Sequence, residues 1–256
     1  MDEKKIALIT GATGGLGYCL LQELLKEPLD EIWAFGRNEE RLDSLKKQFG
    51  ERVRTVRADL TDKEFPALLD GLLTESKPNV AFLVNNAGAG AFKETADYSV
   101  GEIASAIDLN CKAAPVVTNI CLPYMHGGGR IINICSAAAF QPLPHINFYA
   151  ASKAFLRSYS RALNAELKPR RITVTAVCPG WIDTNLLIWE LNGKKVKYPG
   201  LVKPDRVAKK AVRDAKKGKD MSVCSLYMKI QHVMVKRLPQ KFIMKIWQNG
   251  TKKYVK

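Results

Sequence analysis

Six short apolar runs, at 5–10, 31–36, 53–58, 79–84, 130–136 and 172–177, alternate with segments whose apolar residues recur at helical spacing. Strands separated by helices along the whole chain predict a doubly wound α/β protein, a parallel sheet covered on both faces. The run Asn79-Val80-Ala81-Phe82-Leu83-Val84 is apolar except at its ends, as a strand buried on both sides requires. Ligands of such sheets lie beyond the C-terminal ends of the strands, so the residues that follow each run carry the functional information.

The first run ends in Gly11-Ala12-Thr13-Gly14-Gly15-Leu16-Gly17, and helical spacing follows over 18–26. Glycines permit a sharp turn and let the main chain approach a pyrophosphate, whose charge the amides of a helix N-terminus can meet. The spacing is G-x-x-x-G-x-G, and an ordinary structural turn explains it equally well until a second strand supports it. That strand ends in Gly36-Arg37-Asn38, ahead of a helix over 39–49. Gly36 stands where an acidic residue often holds the adenosine ribose, and Arg37 follows. A guanidinium binds a 2′-phosphate that a carboxylate would repel, so NADP is favoured over NAD.

The third run ends at Asp59-Leu60 and precedes a helix over 62–73; the fourth ends in Asn85-Asn86-Ala87-Gly88. Those side-chain amides can hold neighbouring loops, and the small residues leave room for a flat ring. A largely helical stretch over 100–125 contains Asn110, with Pro115 as the expected local distortion. The fifth run ends in Ser136, the sixth in Cys178-Pro179-Gly180. A helix over 148–167 carries Tyr149 and Lys153, four residues apart and therefore on one face. A phenol titrates near 10, and a fixed cation close by stabilises the phenolate, which makes the pair a candidate general acid/base. Alone, the same spacing also fits an ordinary solvated helix.

Taken in register, these motifs resemble the short-chain dehydrogenase/reductase family in its single-domain branch, over roughly residues 4–225. The resemblance implies a Rossmann-like fold and transfer of hydride between NADP(H) and a ketone or secondary alcohol. It makes Tyr149 the proton donor or acceptor, and has Lys153 lower the Tyr149 pKa and bind the nicotinamide ribose. Ser136 would hold the substrate oxygen, and Asn110 would position a water beside Lys153. Cofactor contacts fall on Gly11, Thr13, Gly15, Leu16 and Gly17 in the turn, Arg37 and Asn38, Asp59 and Leu60 at the adenine, and Asn86, Ala87 and Gly88 at the riboses. Pro179, Gly180, Ile182 and Thr184 would flank the nicotinamide. The family often pairs through the helices carrying Asn110 and Tyr149, so a homodimer or homotetramer is expected.

Between the sixth strand and a helix over 205–216, the segment 181–200 contains Trp181, Leu186, Leu187, Ile188, Trp189 and Leu191. It is too apolar for a plain surface loop and reads as a substrate lid, with Trp181 and Trp189 as substrate contacts. His145, between Ser136 and Tyr149, is a further candidate. The six cysteines lack any C-x-x-C pair and read as buried small hydrophobes in a reducing cytoplasm, so no metal is expected. No apolar run approaches the roughly 18 residues that span a bilayer, and the N-terminus shows no leader, so a cytoplasmic protein is expected.

The charge of +15 is uneven: 203–256 holds 16 Lys and Arg against 3 Asp and Glu. Residues 1–224 form the expected oxidoreductase domain, with an edge strand over 221–224, and 225–256 a basic amphipathic helical extension. There Leu226, Ile230, Val233, Met234 and Leu238 make one apolar stripe, and Phe242, Ile243, Ile246 and Trp247 a second. The extension can pack over a pocket for a lipophilic substrate, dock on a subunit, or lie peripherally on an anionic membrane. Nucleic acid is disfavoured because no groove-reading motif accompanies the charge. Two rivals stand beside the oxidoreductase reading: a non-catalytic NADP-binding regulator, and an epimerase or dehydratase that retains its nicotinamide.

Overall fold

In the computed structural model, which describes residues 3–252 apart from 186 and 192, the expected alternation is present. Strand β1 (Lys5–Thr10) leads into α1 (Gly15–Leu24), then β2 (Glu31–Gly36), α2 (Glu39–Phe49), β3 (Val53–Arg57), α3 (Phe65–Ser76) and β4 (Asn79–Asn85). The second half runs α4 (Val100–Ile107), α5 (Ala113–Cys121), β5 (Arg130–Ile134), α6 (Asn147–Glu166) and β6 (Thr173–Val177). A two-residue antiparallel pair follows, β7 (Glu190–Leu191) and β8 (Lys194–Lys195), then α7 (Pro204–Lys216), β9 (Met221–Ser222), α8 (Leu226–Arg237) and α9 (Gln240–Thr251).

Seven strands form one parallel sheet in the order β3-β2-β1-β4-β5-β6-β9. The order reverses between β1 and β4, whose C-terminal ends carry the glycine turn and the Asn85-Asn86 pair. Such a switch point leaves a crevice for a ligand. Alternate residues of β1 face opposite layers. Ala7 and Ile9 pack with Leu20, Leu21 and Val207 from α1 and α7, whereas Ile6 and Leu8 pack with Leu69, Leu73, Val117 and Leu163 from α3, α5 and α6. Each of Ile6, Leu8 and Ile9 is fully buried and contributes about 1.5–3 kcal/mol. The rigid sheet thereby fixes where the loops at its C-terminal edge begin.

Three details add to the expectation. The distortion expected near Pro115 takes the form of a π turn at Asp108–Lys112, within an otherwise continuous helix. Pro115 has no N–H to bond back, and its ring crowds the carbonyl four residues earlier, at Cys111 inside that turn. In the segment 181–200, Trp181 and Trp189 both pack on Tyr198, with ring centroids at 4.9 and 5.4 Å, while Ile188 and Trp189 remain half exposed. Leu186 of this segment lies outside the described residues, as does the side chain of Leu191.

The third concerns α8. Its regular apolar stripe of Leu226, Ile230, Val233 and Met234 faces outward. The inner side is formed by Met228, which lies so close to Gly180 that a Cβ there would meet its Sδ at 2.7 Å, and by His232, whose ring sits 4.0 Å from that of Phe140. Helix α9 is held by buried Ile243 and by Trp247 Nε1, which donates to Pro144 O at 2.9 Å. The extension thus packs on the loops that follow β5 and β6. Among the described residues no helix is long and apolar enough to cross a membrane.

Candidate active site

The glycine turn is built by main-chain crowding. Gly11 has φ +65°, which L side chains avoid, and a Cβ at Gly17 would strike Gly11 O at 2.1 Å. Asn86 fastens the turn to β4: its Nδ2 donates to Thr10 O at 3.1 Å and Gly11 O at 2.9 Å. Thr10 Oγ1 in return accepts from the amides of Asn86 and Ala87 at 3.0 and 3.1 Å. Helix α1 begins at Gly15 rather than at the expected residue 18, so its free amides open directly onto the turn. The segment after β6 reaches the same place, since a Cβ at Gly15 would meet Thr184 Cγ2 at 3.0 Å. Ile182 bridges to Val202 and packs against the core behind it. Leu16 and Ala87 are largely covered within this turn region.

At the tip of β2, Gly36 lies against Thr13, and Arg37 extends beyond with its side chain 74 % exposed. Arg37 Nη1 stands 3.7 Å from Asp59 Oδ2. Asp59 is held below the usual carboxylate range, first by hydrogen bonds from the Thr61 amide and hydroxyl at 2.9 and 2.7 Å and only then by Arg37. Asn38 caps α2, accepting from Arg41 N at 2.8 Å. Leu60 packs along the edge of the second core layer.

The second half of the site surrounds 88–90. Asn110 sits in the π turn, 2 % exposed, and clasps one residue through both its main-chain groups: its Nδ2 donates to Ala89 O at 2.7 Å and its Oδ1 accepts from Ala89 N at 3.0 Å. Nδ2 also reaches Ser152 Oγ at 3.2 Å. Lys153, 3 % exposed, donates to Ile134 O at 2.8 Å. A Cβ built on Gly88 would lie 3.0 Å from Lys153 Nζ and 3.1 Å from Asn110 Oδ1, so these two groups converge on that glycine. The Tyr149 ring lies against Gly90, where a Cβ would meet Cδ2 at 2.6 Å, and its centroid is 5.7 Å from Lys153 Nζ. Ser136 starts the short turn Ala137–Phe140 and its Oγ accepts from Ala138 N at 3.1 Å.

His145 adopts φ +66° and pairs through Nδ1 with Glu94 Oε1 at 3.1 Å, tying the loop before α6 to the loop after β4. Trp181 and Trp189 pack on Tyr198 within the segment 181–200. Cys135, beside Ser136, is buried in one cluster with Cys178, just beyond β6; interaction with Cys135, then burial, pushes the Cys178 thiol up, as suits packing. Sequence reasoning missed Gly90, Ser152 and Glu94. Gly90 was the most accessible of these, a second small residue two positions after Gly88.

A parallel sheet whose strand order reverses at a glycine turn, with a Tyr-Lys helix beside the crevice, defines a Rossmann-like α/β protein. The family model described as short chain dehydrogenase matches residues 5–192. An uncharacterized oxidoreductase of Staphylococcus epidermidis is 30% identical over 184 residues, covering 71% of this chain and 80% of that protein. A short-chain dehydrogenase from Streptomyces avermitilis superposes with a TM-score of 0.78 at 23% identity, over 99% of this chain and 97% of that one. An actinorhodin polyketide ketoreductase crystallised with NADPH gives 0.72 at 28% identity, over 86% and 95%. The chain belongs to the short-chain dehydrogenase/reductase family of oxidoreductases.

Proposed function

We propose that the protein is an NADP(H)-dependent carbonyl reductase that interconverts a ketone and a secondary alcohol, with Tyr149 as general acid and base. The observation that carries this reading is the convergence of Lys153, Asn110 and Tyr149 on the glycines at 88 and 90. A cofactor fits the residues present. Gly88 keeps open a space beside Lys153 that a Cβ would fill, Gly11 and Gly17 bring bare main chain to the start of α1, and Arg37 extends an exposed cation, loosely paired with Asp59, beyond β2. Gly11, Thr13, Gly15, Leu16 and Gly17 would hold its pyrophosphate, Arg37 and Asn38 its 2′-phosphate, Asp59 and Leu60 its adenine. Asn86, Ala87, Gly88, Tyr149 and Lys153 would hold its riboses, and Pro179, Gly180, Ile182 and Thr184 its nicotinamide. When bound, the reduced nicotinamide supplies a hydride to the carbonyl carbon.

The chain itself handles the proton and the geometry. Ser136 Oγ would orient the substrate oxygen, and the Tyr149 phenol would give up its proton as that oxygen gains charge. Lys153 has three donors, of which Ile134 O takes one; the others serve the cofactor ribose and the phenol oxygen. Asn110 is a positioning residue, because its amide is engaged with Ala89 and fixes the backbone on which Tyr149 and Lys153 rest. His145, Trp181 and Trp189 would bound the substrate, and the apolar lid favours a lipophilic ketone such as a steroid, fatty-acyl or aromatic ketone. The ketoreductase similarity supports carbonyl chemistry on NADPH. The exposed Val100 and Ile107 on α4 and Phe155 on α6 support a homodimer or homotetramer through these helices, and a cytoplasmic location is proposed with it.

NADPH oxidation measured across ketones graded in size and polarity tests the proposal. Turnover rising with apolar size is expected. No consumption with any ketone, with NADPH still bound, would favour the rival NADP-binding regulator.

A further inference from the structure

Helix α8 is seated by one side and bare on the other. Its inner residues Met228 and His232 meet Gly180 and Phe140, and Tyr227 lies against Gly200 of the lid. Its outer side carries Leu226, Ile230, Val233 and Met234, which are 72%, 53%, 45% and 48% exposed. Spaced at i, i+4, i+7 and i+8, they form one continuous stripe. Phe242 and Ile246, one turn apart on α9, are each 52% exposed. Leu201, next to the glycine that Tyr227 covers, and Ile188 and Trp189 of the lid are exposed as well. Soluble proteins show single apolar side chains at the surface, whereas an aligned series marks a contact face.

The charge around this face is of one sign. From residue 221 to the end of the chain there are eight Lys and Arg and no Asp or Glu. Lys229, Lys236, Arg237, Lys241 and Lys245 are all exposed on the two helices. We propose that α8, α9 and the edge of the lid form a docking face for an anionic phospholipid bilayer, with the apolar stripe entering the interface and the lysines meeting lipid phosphates. A second copy of the chain is the weaker occupant. A two-fold contact through α8 would set Lys229, Lys236 and Arg237 against their own counterparts, with no carboxylate beyond Asp220 on the segment to offset them. Vesicle binding needs no turnover; only the corollary, that a lipophilic ketone reaches the lid from the membrane side, rests on the proposed activity.

The experiment is co-sedimentation of the full chain with phosphatidylcholine vesicles, with or without roughly one-third phosphatidylglycerol. Binding to the anionic vesicles is expected, far weaker binding to the neutral ones, and loss as salt is raised well beyond ~0.15 M. Lys229→Gln, Lys236→Gln and Arg237→Gln should each weaken anionic binding about fivefold. Leu226→Ser with Ile230→Ser and Phe242→Ser, all at solvent-facing positions, should weaken it at least ~100-fold with circular dichroism unchanged. Equal binding to neutral and anionic vesicles overturns the proposal. So does an absence of vesicle binding by the wild type; if the triple serine variant then falls from oligomer to monomer in light scattering, the stripe belongs to a second copy.

Discussion

Replacing Arg37 by Ala should weaken NADPH binding and leave NADH nearly unchanged. Arg37 Nη1 lies 3.7 Å from Asp59 Oδ2, a loose and solvent-exposed ion pair, while both Thr61 bonds go to Oδ1. That pair leaves most of the guanidinium donors open to a phosphate. A charge-assisted hydrogen bond contributes about 1.5–3 kcal/mol, and the 74 % exposure of Arg37 places it in the lower half of that range because solvent screens it. About 1.5–2 kcal/mol corresponds to a ten- to thirtyfold rise in Kd for NADPH. Asp59, left without a neighbouring cation, pushes in the same direction. NADH lacks the phosphate, so its Kd should move less than about threefold. Fluorescence titration of both cofactors, at low and at raised salt, measures the difference, and salt should narrow it by weakening NADPH binding to the wild type. Equal losses for the two cofactors would refute the 2′-phosphate assignment.

Tyr149→Phe should lower turnover by about 10²–10⁴-fold while cofactor affinity stays within a few-fold; near wild-type turnover would remove Tyr149 from the acid role. Gly88→Ala drives a methyl toward Lys153 Nζ and Asn110 Oδ1, at 3.0 and 3.1 Å, and both groups are buried and bonded. A loss of about 10²-fold in kcat is expected, and unchanged kcat with a normal melting curve would show that nothing critical lies beside this glycine. Asp214 should set the acid stability. Burial raises its pKa, but hydrogen bonds from Lys210, Ser222 and Lys219 at 2.6, 2.7 and 3.0 Å outweigh it and hold the group at about 2, below its ordinary 3.8. A depressed carboxylate stabilises the fold above the unfolded value and loses that effect as pH falls through the folded one. Asp214→Asn should therefore cost on the order of 2 kcal/mol at pH 7, and the gap to wild type should close near pH 2; urea midpoints at a series of pH values would show it, and a gap independent of pH would refute it.

The sheet was legible because strands buried on both faces are written as unbroken apolar runs, and 79–84 or 5–10 can hardly be anything else. The residues at the strand ends were legible for the same reason, since the switch point collects them. Two features were hidden. One is the form of the distortion near Pro115: a proline marks that the helix is disturbed at the carbonyl four residues back, but not that the disturbance is a π turn at Asp108–Lys112. In α8, periodicity reported that the helix has two unlike sides but not which side meets the protein. Gly180 decides that, because only a bare backbone lets Met228 approach so closely, and Gly180 lies 48 positions away in sequence. The buried amide chain from Asn85 to Asn133 to Ser160 was hidden likewise, spread over two strands and a helix.

Asn110 illustrates why spacing alone could order the site residues but not assemble them. A regular helix over 100–125 would carry a residue at this position past the loop after β4; one π turn widens the path of the helix and directs the amide at Ala89. Through that single residue, Asn110 fixes the two glycines on either side of it. Gly90 admits the Tyr149 ring at a distance a Cβ would not tolerate, and Gly88 the Lys153 ammonium at one where a Cβ would be crowded. The candidate catalytic groups are thus aligned less by contact with one another than by three residues of main chain clasped by an amide. A substitution at Asn110 should then disturb Lys153 and Tyr149 together, with Asp milder than Ala because one oxygen can still accept from Ala89 N.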